Sequence, residues 1–334
     1  MAAPGYPDAV RIPELDLAAF CGVPFPVATV AELRRAGLVA AEGMGKKLAL
    51  LWNDGRPRAY EDVCPHLGLP LTQGHLDGES LRCRYHGWAF DRATGDVTDQ
   101  PTLRRPQPCR LREHGALIAG GLVFCWLGDA EEADVRRLLP DDVATDFQLH
   151  RVTMEAPFYL ALWNAVDYAH FAHHRFYKRA YSLYRRLRRD GHVPGQPFHW
   201  QSVEQSDERL RFRLVEAARD LTLHPTAAEF TDDGGINRFQ TFVQPLGPRR
   251  TVYWEVYSAR TANPLLRLAA HAAFRTVIVH LLDTEDRDWT SVSAPNFLAG
   301  DNIHFSETDV PLGALLRRFV VPRLAAAEPA TVTP

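Results

Sequence analysis

The spacing of apolar and polar positions changes character midway along the chain. From residue 23 to about 130 the apolar runs are short and broken by glycine and proline, as in a domain of short strands and loops. Residues 47–53 followed by Asp54-Gly55 read as a strand entering a turn, with Arg58 to Tyr60 returning. Residues 117–127, apolar and bounded by Gly115 and Gly128, read as a buried strand. A charged, turn-rich segment (129–146) follows, and a domain boundary is expected there. Beyond it, residues 161–174 have helical spacing. Strand-like runs come at 209–216, 227–231, 237–244 and 251–258. A long helix is predicted from Pro264 to about Trp289, with Asn263 as N-cap and Pro264 at the first helical position. Its residues Leu265, Leu268, Ala269, Ala272, Ala273 and Leu282 keep largely to helical spacing, so one face is expected to pack on a core. The expected organisation is an arm (1–22), a β-rich domain (23–135), a second domain (136–324) and a loose tail (325–334).

Composition narrows the function classes. At roughly 150 residues per domain, 334 residues suggest about two domains. Lys plus Arg (38) and Asp plus Glu (41) give a net charge of −3, with no broad attraction to nucleic acid or anionic lipid. No run approaches 18 uncharged apolar residues, so no membrane insertion is expected. The first 15 residues contain Asp8, Arg11 and Glu14 and no apolar core, unlike a signal peptide. Five cysteines are too few for a disulfide scaffold. The expectation is a cytoplasmic protein.

The chemistry lies in two constellations. The first is Cys64-Pro65-His66, then 16 residues, then Cys83-Arg84-Tyr85-His86. Two thiolates and two imidazoles can hold zinc or an iron–sulfur cluster. One Cys and one His from each of two loops suits a Rieske [2Fe–2S] centre, where one iron takes two Cys and the other two His. A zinc site has one focus and more often uses Cys-x-x-Cys pairs. Cys21, Cys109 and Cys125 lie outside the motif and read as core thiols.

The second constellation is Asn164-Ala-Val-Asp167-Tyr-Ala-His170-Phe-Ala-His173-His174. On a helix, Asp167, His170 and His174 fall within an arc of about 60°. Two imidazoles with one further carboxylate make the facial triad of non-haem Fe(II) oxygenases.

Both segments resemble the Rieske non-haem iron oxygenases. The run from Glu61 to Leu71 and the run from Leu81 to Trp88 match both cluster loops, and neither carries the extra Cys of respiratory Rieske proteins. Asn164 to His174 is similar to the family's Asn-x2-Asp-x2-His-x3–4-His pattern. The resemblance implies an α+β chain: an all-β Rieske domain, then a helix-grip catalytic domain with an antiparallel sheet. It implies Cys64, His66, Cys83 and His86 as cluster ligands and His170 as first ligand of a mononuclear iron. His174 is favoured as the second, with His173 the alternative, and Asn164 and the remaining histidine are expected beside the ligands. The carboxylate is expected near the end of the long helix, where Asp286 is preferred and Asp283 and Asp288 are alternatives.

The resemblance further implies that Asp167 bridges two metal sites across a subunit boundary in a homotrimer, towards the partner's counterpart of His86. Electrons would come from NAD(P)H through a separate reductase or ferredoxin, since the chain has no nucleotide motif of its own. A compact chain is similar to the branch that hydroxylates or oxidatively dealkylates small molecules. Arene cis-dihydroxylation is the alternative within the family, and an electron carrier without oxygenase chemistry the alternative outside it. The basic run Lys178, Arg179, Arg185, Arg186, Arg188 and Arg189 reads as a solvated face or as a docking surface. Phe158, Trp163, Phe239, Phe242, Tyr253, Trp254 and Tyr257 read as core, with a pocket wall as the other possibility.

Overall fold

A computed structural model describes residues 15–174, 196–232, 237–300, 303 and 305–327. The chain divides into two compact units, residues 20–145 and, with the segment before residue 20, residues 146 onward.

The first unit contains two antiparallel sheets. One has β1 (Phe25–Thr29), β2 (Leu38–Gly43), β3 (Lys46–Asn53), β4 (Arg56–Glu61), β9 (Glu113–Ala119) and β10 (Leu122–Trp126), in the order β1-β10-β9-β4-β3-β2. The other runs in sequence order through β5 (His75–Asp77), β6 (Ser80–Arg82), β7 (Ala89–Asp91) and β8 (Val97–Asp99). Asn53 pairs with Arg56, and Asp54 and Gly55 both have positive φ (46° and 81°), the backbone a two-residue hairpin turn requires.

The apolar stretch 117–127 is not one strand but part of a hairpin. Ala119 pairs with Leu122, and Gly120-Gly121 turns the chain between them. The glycine pair outweighs the continuous hydrophobicity, because Gly120 has φ 55° and a Cβ there would meet the Val143 carbonyl at 2.3 Å. Ala49, Leu51 and Tyr60 from the large sheet pack with Leu81 and Phe90 from the small one, and Cys64, Cys83 and Trp88 belong to the same core.

Gly115 lies opposite Trp126, and a Cβ would come within 1.9 Å of the indole. Gly115→Ala is expected to destabilise this unit by about 1–3 kcal/mol through overpacking, measured by denaturant unfolding.

The second unit is built on a seven-stranded antiparallel sheet: β11 (Gln148–Met154), β12 (Trp200–Gln205), β13 (Leu210–Leu214), β14 (Arg219–Leu223), β15 (Ala227–Asp232), β16 (Asn237–Gly247) and β17 (Arg250–Ala259), ordered β11-β17-β16-β15-β14-β13-β12. The four strand runs expected from the pattern are β13, β15, β16 and β17. The strands β11, β12 and β14 were not expected: β12 is polar and mostly exposed, and β11 places His150 and Arg151 mid-strand.

Helix α1 (Phe158–Val166) packs on this sheet; six of its nine residues are buried and none is fully exposed, so it shows no solvent-facing polar stripe. Helix α2 runs from Pro264 to Ala299, ten residues beyond the expected end. Asn263 caps it, its Oδ1 accepting from the amides of Leu265 (3.0 Å) and Leu266 (3.2 Å). The expected core face is corrected for its first ten residues: none of Pro264–Ala273 is buried, and Leu265 is 76% exposed. Helical period selects a face but does not bury it: the segment touches β17 only at its edge, through His271 against Tyr257, and Leu265, Leu268, Ala269, Ala272 and Ala273 stay exposed. By length and composition α2 is also long and apolar enough to cross a bilayer, although Arg267 and Arg275 interrupt any uncharged run in it. Its later part packs on β11 and α1. A last helix, α3, covers residues 310–327.

Candidate metal centres

The two loops of the first unit share one backbone frame. The Cys64 amide donates to the Leu69 carbonyl (2.8 Å) and the Gly68 amide to the Cys64 carbonyl (2.8 Å). In the second loop Cys83 donates to Trp88 (2.8 Å) and Gly87 to Cys83 (3.1 Å). Gly68 and Gly87 both take positive φ (79° and 74°) to close the turn. Within this frame the imidazole stands two residues after the first Cys and three after the second. Asp62 fastens the first loop through Thr72, accepting from its amide (2.8 Å) and hydroxyl (2.6 Å). Arg82 fastens the second, donating to the Gly87 carbonyl at 2.6 Å.

The frames bring all four side chains to one place. The His66 and His86 ring centroids are 4.5 Å apart, and His66 stacks on Trp88 at 4.5 Å and 4°. Cys64 and Cys83 are buried beneath, and burial pushes the Cys64 thiol up to about 11, with Cys83 adding to the rise. Buried thiols side by side, next to a buried His66 Nδ1 with no hydrogen-bond partner, suit a cluster that takes thiolates on one iron and imidazoles on the other.

The second centre departs from the expected geometry. Asp167, His170 and His174 do not share a helix face. Helix α1 stops at Val166, Asp167 turns extended (ψ 96°), and His170–His173 form a 3-10 turn that ends at an extended His174. The turn still converges two rings. His170 Nε2 lies 3.2 Å and His174 Nε2 3.3 Å from the same atom, Asp286 Oδ1. One ligand atom from each residue lies within 4.8 Å of the others. His170 Nε2 and Asp286 Oδ1 are buried and make no hydrogen bond among the described residues. Donors that converge without bonding one another form a socket for a cation.

The charges agree with that reading. Burial alone would lower His170, but Asp167 and Asp286 outweigh it and hold the imidazole up at about 9. Burial alone would raise Asp286, but His170 and His174 bring it down to about 2. A divalent ion would take the place of this proton. On the far sides of the rings, His174 Nδ1 meets Glu285 Oε2 at 3.1 Å and His170 Nδ1 stands 3.4 Å from Asp167 Oδ2. Such partners fix ring orientation and basicity.

The remaining candidates separate clearly. His173 is exposed and outside the convergence. Asp283 meets His150 Nε2 at 2.9 Å, and exposed Asp288 pairs with Arg287. Asn164 Oδ1 accepts from the Thr290 hydroxyl at 3.1 Å. Cys125 is buried as expected of a core thiol, but Cys21 is exposed, correcting that assignment. The basic run 178–189 lies outside the described residues. Two contacts go beyond the sequence reading: Glu285, in sequence only one of four neighbouring acids, meets the His174 ring, and Trp289 stacks on that ring at 4.9 Å. Asp286 ends a π-helical turn, Leu282–Asp286, a distortion common at functional positions and invisible to a 3.6-residue pattern.

A cavity of about 130 Å³ opens beside His170 and Asp286. Asn164, Tyr168 and Phe171 wall it from the α1 side, Ile278, Leu281 and Leu282 from α2, and Arg219, Phe230, Phe239, Tyr253 and Glu255 from the sheet. Arg219, Phe230, Phe239 and Ile278 also line a wider adjoining cavity of about 330 Å³, with Tyr257. Of the aromatics weighed from sequence, Phe239 and Tyr253 line the inner cavity, whereas Phe158, Phe242 and Trp254 are core. Tyr168, Phe171 and Phe230 join Phe239 and Tyr253, although no sequence periodicity marks them as lining residues.

Residues 23–120 match the Rieske [2Fe–2S] domain family. The chain is 33% identical over 141 residues to the oxidoreductase NdmD of Pseudomonas putida, covering 40% of this chain and 24% of that protein. It is 34% identical over 132 residues to 4beta-methylsterol monooxygenase of Methylococcus capsulatus, covering 36% and 35%. These alignments span about a quarter to a third of those relatives' length. Solved structures match over nearly the whole chain. The terminal oxygenase of carbazole 1,9a-dioxygenase from Novosphingobium sp. KA1 superposes with a TM-score of 0.69 at 18% identity, covering 92% of this chain and 95% of that one. Its counterpart from Nocardioides aromaticivorans IC177 gives 0.70 at 18%, covering 93% and 98%. Residues 23–120 are thus a Rieske [2Fe–2S] domain, and the chain that contains them has the fold of the Rieske-type terminal oxygenases.

Proposed function

We propose that the protein is the terminal oxygenase of a Rieske system that monooxygenates a small organic molecule, by hydroxylation or oxidative dealkylation. The observation that carries this is the convergence of His170, His174 and Asp286 on the edge of an aromatic-walled cavity. Two imidazoles and one carboxylate leave coordination positions open. When bound, the cluster supplies single electrons and the mononuclear Fe(II) supplies O2 activation.

The chain's own part is positioning. Cys64 and Cys83 would hold one cluster iron, His66 and His86 the other. Glu285 holds the His174 ring by its Nδ1, leaving Nε2 to face the site. Tyr168, Phe171, Phe230 and Phe239 keep water from the reacting carbon and orient it. Relatives named as a methylsterol monooxygenase and a vanillate O-demethylase support monooxygenation. Arene dihydroxylation is the second reading, favoured by structural neighbours named as dioxygenases. A ferredoxin or reductase is the proposed electron donor, as a neighbouring oxygenase is described in complex with ferredoxin. A homotrimer in the cytoplasm, without membrane insertion, completes the proposal; supplying Asp286 to a buried site ties α2 into the catalytic unit.

Metal analysis tests it. The unaltered protein should hold about three irons per chain, two in the cluster and one mononuclear. His174→Ala should fall to about two, while His173→Ala should stay near three and lose at most about 10–100-fold in affinity for the third. A zinc-only result from iron-replete cells would overturn the proposal, and a two-iron His173→Ala beside a three-iron His174→Ala would reverse the ligand assignment.

A further inference from the structure

Glu255 is a buried acid that the metal sites do not use. It stands mid-strand on β17 opposite Thr241 of β16, and it is 4% exposed. Its Oε2 accepts from the Thr241 hydroxyl at 2.7 Å and from the Tyr253 hydroxyl at 2.9 Å. Burial keeps the Tyr253 hydroxyl protonated, so it remains a donor. Oε1 has no hydrogen-bond partner among the described residues, and none of their Lys, Arg or His side chains forms an ion pair with this carboxyl. Glu255 nevertheless lines the inner cavity, together with His170 and Asp286.

A carboxyl so placed is oriented by two hydroxyls and has no cationic side chain beside it among the described residues. Burial pushes it up, the two hydroxyls pull it down and the nearby negative charge of Asp286 adds to the rise, leaving it at about 7. The rings of Tyr168, Phe171, Phe230, Phe239 and Tyr253 line the same cavity. A carboxylate among aromatic faces is the arrangement that holds a cationic nitrogen, because ring faces and acid attract the same charge. The cavity is about 130 Å³, near the roughly 150 Å³ that accommodates a benzene ring, and larger substituents would extend into the adjoining space.

We propose that Glu255 determines specificity by selecting an amine, whose nitrogen rests on its free carboxylate oxygen and presents a neighbouring carbon to the mononuclear site. The choice of reacting carbon rests on the oxygenase reading above; the binding does not. Arg219 is the competing determinant. Its guanidinium lies over Tyr168 (5.7 Å) and Phe230 (5.6 Å) where the two cavities join, and it has no acid partner among the described residues. It would favour an anion, which makes an anionic probe the decisive comparison.

Isothermal titration of the iron-loaded protein at pH 7, without reductase, tests the assignment using benzylamine, benzyl alcohol and benzoate. Benzylamine should bind at least ~10-fold more tightly than either of the others. Glu255→Gln should bring benzylamine down to the level of benzyl alcohol and change benzyl alcohol less than about 2-fold. Tyr253→Phe should weaken benzylamine about 3-fold by loosening the carboxyl. Cluster absorbance reports that each variant is folded, and the order of the three probes on the unaltered protein tests the proposal without any variant. Tightest binding of benzoate, equal or absent binding of all three, or an unchanged Glu255→Gln would overturn it. Heat of binding is independent of turnover, so failure here is distinct from failure of the oxygenase reading.

Discussion

Replacing His170 with alanine should give a folded, red-brown protein that oxygenates nothing. His170 Nε2 is one of three atoms that converge at the second centre, and the cluster residues lie in a different unit of the chain. Loss of one imidazole from a three-ligand socket removes the mononuclear iron, while the two thiolates and two imidazoles of the loops are untouched. Iron should fall from about three to about two per chain, with the EPR signal of a His-ligated [2Fe–2S] cluster retained. Turnover should drop below detection, since O2 activation has no site. Loss of the cluster signal in a folded His170→Ala protein would show that the ligands had been divided wrongly between the two centres.

Asp167→Asn should fail differently, keeping every iron and losing the rate. Asp167 Oδ1 accepts from the Ala169 amide at 2.9 Å, and Oδ2 stands 3.4 Å from His170 Nδ1. Asparagine keeps this shape and removes the charge. If Asp167 only oriented His170, the loss would be about 10–100-fold. The proposed role as bridge to a neighbouring subunit's cluster histidine predicts more than that, with the defect in electron transfer. In rapid mixing, the pre-reduced cluster should fail to reoxidise when substrate and O2 are added. Normal single-turnover reoxidation would refute the bridge and remove the main reason to expect a trimer.

What the sequence made legible was local. Each loop of the first centre carries its Cys and its His within four residues, and the glycine that closes the turn is visible in the same string. His170 and His174 were legible as a pair, although through the wrong geometry: the expected helix ends at Val166 and a 3-10 turn aims the rings. Asp286 could be preferred over its acidic neighbours only by resemblance, because the π-helical turn that orients it leaves no mark in apolar spacing. Glu255 was not legible at all. Its meaning depends on Thr241, across a strand pair, and on Tyr168, brought back by the fold from 87 positions earlier in the chain. Strand β11 is illegible for a related reason: it pairs with β17, about a hundred residues away, and tertiary pairing overrides its weak pattern.

The long helix α2 carries Ile278, Leu281 and Leu282 on the cavity wall and Asp286 at the metal socket. Wall and ligand therefore travel on one rod with fixed offsets of eight, five and four residues. For divergence among descendants of such a chain, the two kinds of mutation part ways. A substitution at Ile278 or Leu281 recontours the cavity and leaves the carboxylate in place. Inserting or deleting one residue between them and Asp286 rotates the carboxylate by about 100° relative to the wall and moves it about 1.5 Å along the axis. Substrate range can drift here by side-chain replacement, whereas a change in length between Ile278 and Asp286 would carry the carboxylate away from His170 and His174.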